Sequence, residues 1–197
     1  MKFTTAYTPV TTAFASMTKK ELGDFYEGFI LNLPYCLDEL IQSVWLTPGF
    51  DSWRADFSPE SLGALGEWFA TKLRKTKSSS DAVKFSKVAQ ASPVAWDLID
   101  EEKSLAVKVG MYYGEVAIRN HRSLSWMQFK GSKELDDYGQ PVIGGQGIIP
   151  TNPVRVANAF AWGIADGSRT GSRLQETYDS RMKMLNDFTP SKGRTPR

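Results

Sequence analysis

The sequence predicts an α+β fold that is mainly helical, with five or six helices and a small antiparallel β-hairpin or sheet in the C-terminal half. Three observations carry that prediction. Apolar residues recur at i, i+3, i+4 and i+7 in several stretches, the period of a helix with one buried face. Residues 124–129 and 141–144 read as short extended segments between turn residues, which suits a hairpin, and Ile148-Ile149-Pro150 adds a short extended piece. Helix-start signals (Thr18 with Glu21, Ser58-Pro59, Asn152-Pro153) stand ahead of the periodic stretches.

Taken in order, residues 1–17 are a Thr-rich lead-in to a single domain over 18–188. Thr18 caps a helix over about 19–31, with Leu22, Phe25, Tyr26, Phe29 and Ile30 on its inner face. Pro34 suits the first turn of a second helix with Leu37, Leu40, Ile41, Val44 and Trp45 buried, ended by Thr47-Pro48-Gly49. A third helix takes Ser58 as N-cap and Pro59 as its first residue, and runs through Leu65, Trp68 and Phe69 to about Arg74. Residues 75–90 are basic and serine-rich and read as a mobile linker; Ser92-Pro93 opens a helical turn carrying Val94, Trp96, Leu98 and Ile99. The strongest helix spans about 100–120. It is apolar on two adjacent stripes and should be central. Gly110 and Gly114 share one of its faces, each costing about 1 kcal/mol against Ala, so another element should pack closely there. After the hairpin, Asn152-Pro153 starts a helix that Asp166-Gly167 ends, and a last helix covers about 172–186. Residues 189–197 read as a disordered basic tail.

The charge balance is 24 basic against 22 acidic residues, net +2, which argues against a dedicated nucleic-acid binder. One cysteine, Cys36, and one histidine, His121, exclude an internal disulfide and an intrachain His/Cys zinc site. No metal, no cofactor and no catalytic residue is therefore assigned. Cys36 reads as a small packed side chain and His121 as a helix-end residue. The run 144–147 (Gly-Gly-Gln-Gly) lacks the Lys-Ser/Thr of a phosphate loop and reads as a glycine-rich strand exit. Acidic pairs such as Glu60 with Glu67, Glu101 with Glu102 and Asp136 with Asp137 have no pattern that brings two into one cleft. The basic set Lys72, Arg74, Lys75, Lys77, Lys84 and Lys87 reads first as a solvated linker. No leader pattern and no run of about 20 apolar residues is present, so a cytoplasmic protein is expected.

Six Trp, seven Tyr and eleven Phe without a catalytic set point to binding. Trp53, Tyr113 and Trp126 are the candidate aromatic anchors, with Glu60, Glu115 and Arg119 as polar partners; Glu115 and Arg119 are four apart on the central helix.

The order Asp56-Phe57-Ser58-Pro59-Glu60-Ser61-Leu62, then Leu65 and Trp68-Phe69, resembles the D-[YF]-S-P-E-S-L segment of a family of small, uncharacterised bacterial domains. A G-x-Y-x-G-E motif is matched by Gly110, Tyr112 (or Tyr113), Gly114 and Glu115, followed by Trp126 and Gln140-Pro141. The resemblance covers about residues 35–185, and the basic linker departs from it. Some similar proteins look like immunity proteins that block a bacterial toxin. The resemblance thus implies a non-catalytic protein-binding domain whose partner is another protein, such as a cognate toxin. A small-molecule or nucleotide-binding enzyme subunit and a nucleic-acid-associated accessory protein using 72–87 and the tail are the alternatives.

Overall fold

The structure, a computed structural model, describes residues 13–73, 76–77 and 96–188. A 3₁₀ turn, Phe14–Ser16, leads into α1 (Lys19–Trp45) and α2 (Ser61–Lys72). Two-residue strands β1 (Thr76–Lys77) and β2 (Trp96–Asp97) precede α3 (Asp100–Asn120). Strands β3 (Ser125–Gln128) and β4 (Pro141–Gly144), then α4 (Pro153–Ala165) and α5 (Arg173–Phe188), complete the order. The fold is α+β and mainly helical, with the antiparallel β3–β4 hairpin in the C-terminal half. Apart from Thr76 and Lys77, the 75–90 stretch lies outside the described residues, as does the 189–197 tail.

The N-terminal third departs from expectation. Thr18 caps α1 as its sequence suggests: its Oγ1 accepts from Glu21 N at 3.2 Å and the Glu21 carboxylate accepts from Thr18 N at 2.7 Å. The helix does not end at 31, however, and Pro34 lies inside it. An interior proline removes one backbone hydrogen bond and costs about 3 kcal/mol. What offsets it is a buried stripe that stays in phase across the proline: Leu22, Phe29, Leu33, Leu37, Leu40 and Val44 all face the core. Breaking the helix would take part of that stripe off α3. Trp45, expected in the buried face, stands half exposed at the helix end.

Two further starts differ. The regular turns of α2 begin at Ser61, three residues after Ser58. Ser58 still does the capping: its Oγ and its carbonyl accept from Ser61 N at 3.3 and 3.2 Å, closing a tight opening turn. The helical turn expected to carry Trp96 is instead strand at Trp96–Asp97, paired with Thr76–Lys77, and Ile99 is already the N-cap of α3. Residues 92–95 lie outside the described set.

Helix α3 is the central element, as its double stripe requires. Ala106, Val109, Tyr112, Tyr113, Val116 and Ala117 are fully buried among α1, α2, α4 and β3. The glycine strip meets its neighbours as anticipated. A Cβ on Gly110 would stand 2.7 Å from Val154 Cα and 2.9 Å from Pro153 O, so the start of α4 lies against the α3 backbone. A Cβ on Gly114 would overlap the six-membered ring of Trp126. Asn152 caps α4 through its Oδ1, which accepts from Arg155 N at 3.1 Å. The same side chain donates to Asp137 and Gln140 at 3.0 Å each, tying the hairpin turn to the helix start. The 144–147 run is explained by backbone geometry: a Cβ on Gly145 would overlap Ser123 O, and Gly147 has φ +73°.

Candidate functional site

The two motifs of the sequence meet in space. Tyr112 of α3 is the junction. Its ring stacks on Phe57 at 4.8 Å between centroids and lies 5.4 Å from Trp53. Its hydroxyl shares a 2.9 Å hydrogen bond with Ser61 Oγ and accepts from Phe57 N at 3.3 Å. Burial raises the Tyr112 hydroxyl above the usual tyrosine range, opposed by the Ser61 bond. Phe57 has φ +59°, a left-handed conformation that a bulky L residue adopts only when its surroundings enforce it. The enforcing contacts come from α3: Tyr112 holds its N–H, and Asn120 Nδ2 donates to its carbonyl at 2.8 Å.

The layers continue outward. The Arg119 guanidinium lies 3.5 Å from the Phe57 ring centroid, a cation–π contact. Its Nε donates to Glu115 Oε2 at 3.3 Å, and the other Glu115 oxygen accepts from Trp126 Nε1 at 2.9 Å. Glu115 therefore bridges the end of α3 to the hairpin, and Trp126 packs edge-on against Phe29 of α1 at 5.2 Å.

Of the six candidate residues, the structure gathers Trp53, Glu115, Arg119 and Trp126 into this one junction. Trp53 is in the core, with its indole N–H donated to Ser61 O at 3.0 Å. Tyr113 lies one residue from Tyr112 but on another face, fully buried and 5.7 Å edge-to-face from Tyr178. Neither of those two hydroxyls has a hydrogen-bond partner among the described residues, and burial pushes both well above the usual tyrosine range. Glu60 is exposed, just before the first regular turn of α2. His121 is the C-cap of α3, its ring 6.4 Å from Tyr178, and burial lowers its pKa. Cys36 is buried in α1. The junction is thus a satisfied network that fixes the α2 start, α3 and the hairpin; of the six candidate residues, Arg119 and Glu60 present substantial surface.

A second constellation lies away from the motifs. The outer face of α1 carries Leu31 (70% exposed), Tyr35 (62%), Trp45 (50%) and Leu46 just beyond it (80%). The indole N–H of Trp45 donates to Trp53 O at 2.7 Å, so the ring is held in place and its exposed part is carbon. Residues 31, 35, 38, 42 and 45 follow at helical spacing on the side opposite Leu37, Leu40 and Val44. That spacing was available in the sequence, but a proline expected to start a new helix concealed it. A smaller feature is a polar depression of about 340 Å³ between α4 and α5, lined by Gly167, Ser168, Arg169, Thr170 and Arg173.

No family model, curated protein or solved structure matches this chain. The likeness to the D-[YF]-S-P-E-S-L domains therefore rests on the two motifs themselves. Among the described residues, no helix is long and apolar enough to cross a membrane, and no group of three or more His, Cys, Asp or Glu could hold a metal ion.

Proposed function

We propose that this chain is a non-catalytic protein-binding domain whose working surface is the outer face of α1, and that an immunity-type role, neutralising a bacterial toxin in the cytoplasm, is its setting. One observation carries the reading: four large apolar side chains, two of them aromatic, stand in a line on one exposed helix face. Trp and Tyr held rigid at a surface are the residues that most often dominate binding energy. Isolated exposed apolar residues need no explanation; here Leu31 with Tyr35 and Trp45 with Leu46 form two apolar pairs on one face, with Asp38 and Gln42 between them. The motif resemblance supplies the toxin-blocking form of the idea, by analogy.

The test is affinity capture from the source cell, using the wild-type chain and a Leu31→Asp/Leu46→Asp double variant of equal melting temperature. A protein retained by the wild type and lost by the variant supports the reading. Capture of the same proteins by both chains refutes it. Co-expression with a growth-inhibiting neighbour gene then decides the immunity role, since only wild type should restore growth. A second reading, small-molecule binding, has the depression beside Arg169 and Arg173 in its favour. It predicts a thermal shift with phosphate-bearing metabolites that is lost in Arg169→Ala. The 72–87 stretch on which a nucleic-acid role would depend lies largely outside the described residues.

A further inference from the structure

From its charge pattern we infer that the α1 face takes a basic, amphipathic helix presented by the partner protein. The inference rests on the protein-binding reading and names the chemistry of its partner. Between Lys20 and Arg54 the chain contains no Lys, Arg or His, while Glu21, Asp24, Glu27, Asp38, Glu39 and Asp51 all fall there. For a protein of net charge +2, that is a pronounced local reversal. Three of the six are occupied: Glu21 in the Thr18 cap, Asp24 by Lys20 at 2.8 Å and Glu39 by Lys108 at 2.7 Å. Glu27, Asp38 and Asp51 have no ion pair among the described residues, and all three are exposed. Asp38 lies between Tyr35 and Trp45 on the exposed stripe, and Glu27 lies one turn before Leu31.

The last turn of α1 has no basic residue of its own, and the cation at that end is Lys72 of α2, whose Nζ donates to Thr47 Oγ1 at 3.1 Å, so the dipole adds little and the unpaired carboxylates carry the negative charge of this face. The stripe is also linear: Leu31 and Leu46 stand fifteen residue steps apart, about 22 Å at the helical rise. A helix of about four turns laid along it could cover Leu31, Tyr35, Trp45 and Leu46 with one apolar stripe and reach Glu27, Asp38 and Asp51 with flanking Lys or Arg. A second copy of the same face would instead oppose carboxylate to carboxylate, which disfavours self-association through it.

The experiment uses the full chain and two helical 18-residue peptides with the same leucine stripe. One has lysine on its flanks and the other glutamate. Binding is read by the anisotropy of a label on the peptide. The lysine peptide should bind about tenfold or more tighter than the glutamate peptide, with the gap closing as salt rises. Glu27→Lys/Asp38→Lys should reverse the order, and Leu46→Ala should weaken the lysine peptide. Equal affinities, an order unchanged by Glu27→Lys/Asp38→Lys, or no binding of either peptide would overturn the inference. So would self-association through this face in sedimentation, or a preference for phosphatidylglycerol vesicles over the peptide. If capture from cells still depends on Leu31 and Leu46 in any of those cases, the protein-binding reading stands and only the partner's chemistry is wrong.

Discussion

The junction around Tyr112 and the outer face of α1 use the same residue types to opposite ends. At the junction, Trp53, Phe57, Tyr112 and Trp126 are stacked into the fold, and each polar atom of Tyr112, Trp53 and Trp126 has a protein partner. On α1, Tyr35 and Trp45 extend from a helix whose other face is already packed. Aromatic content alone therefore says nothing about where a protein binds. What distinguishes the two regions is whether the ring faces a neighbour, and that follows from helix phase.

Glycine substitutions should break the comparison most sharply. Gly110→Ala drives a methyl group into the backbone of α4 and should destabilise by about 3 kcal/mol. Gly28→Ala on α1, where nothing stands within 4 Å of the new Cβ, should stabilise by about 0.5–1 kcal/mol. Urea unfolding of both reads the opposite signs; the same sign for both would mean that α3 is not packed as described.

Tyr112→Phe removes the hydroxyl shared by Ser61 and Phe57 N, leaving the strained segment without one of its two clamps. A loss of about 2 kcal/mol is expected in chemical denaturation. Glu115→Ala strands the Trp126 indole N–H at a half-buried site and should cost about 1 kcal/mol, with a change in tryptophan emission. A silent Glu115→Ala would show that the bridge to the hairpin is incidental.

The smallest effect is a pH dependence. Burial lowers the His121 pKa, so the folded chain favours the neutral ring and the unfolded chain binds the proton more readily. Stability from this group is full above the ordinary histidine range and declines as pH falls through it. The urea midpoint should drop slightly from pH 7.5 to 5.5, and His121→Asn should flatten that drop.

Much of this was legible in the residues. Helix α3 begins and ends where its stripes do, Asn152-Pro153 opens α4, and the glycine strip announced a close neighbour that turned out to be α4 and Trp126. The meeting of the Asp56–Leu62 motif with the Gly110–Glu115 motif was also foreseeable as a place to look. Other features depend on tertiary balance. Pro34 carries a local penalty that only the packing of Leu33, Leu37 and Leu40 against α3 can offset, so no local rule reveals that α1 continues. The left-handed Phe57 is imposed by Tyr112 and Asn120, more than fifty residues away in sequence. Trp53 and Tyr113 look like surface anchors in the sequence because bulk and aromaticity serve interfaces and cores alike; the structure places both inside.

The most direct test of the central claim is the dissociation constant of a captured partner measured against four single variants. Leu31→Ala and Leu46→Ala should each weaken binding by about tenfold at unchanged melting temperature, while Arg119→Ala and Glu60→Ala change it less than about threefold. Loss of affinity on Arg119→Ala or Glu60→Ala, with the α1 variants binding as wild type, would contradict the account and return the working surface to the junction.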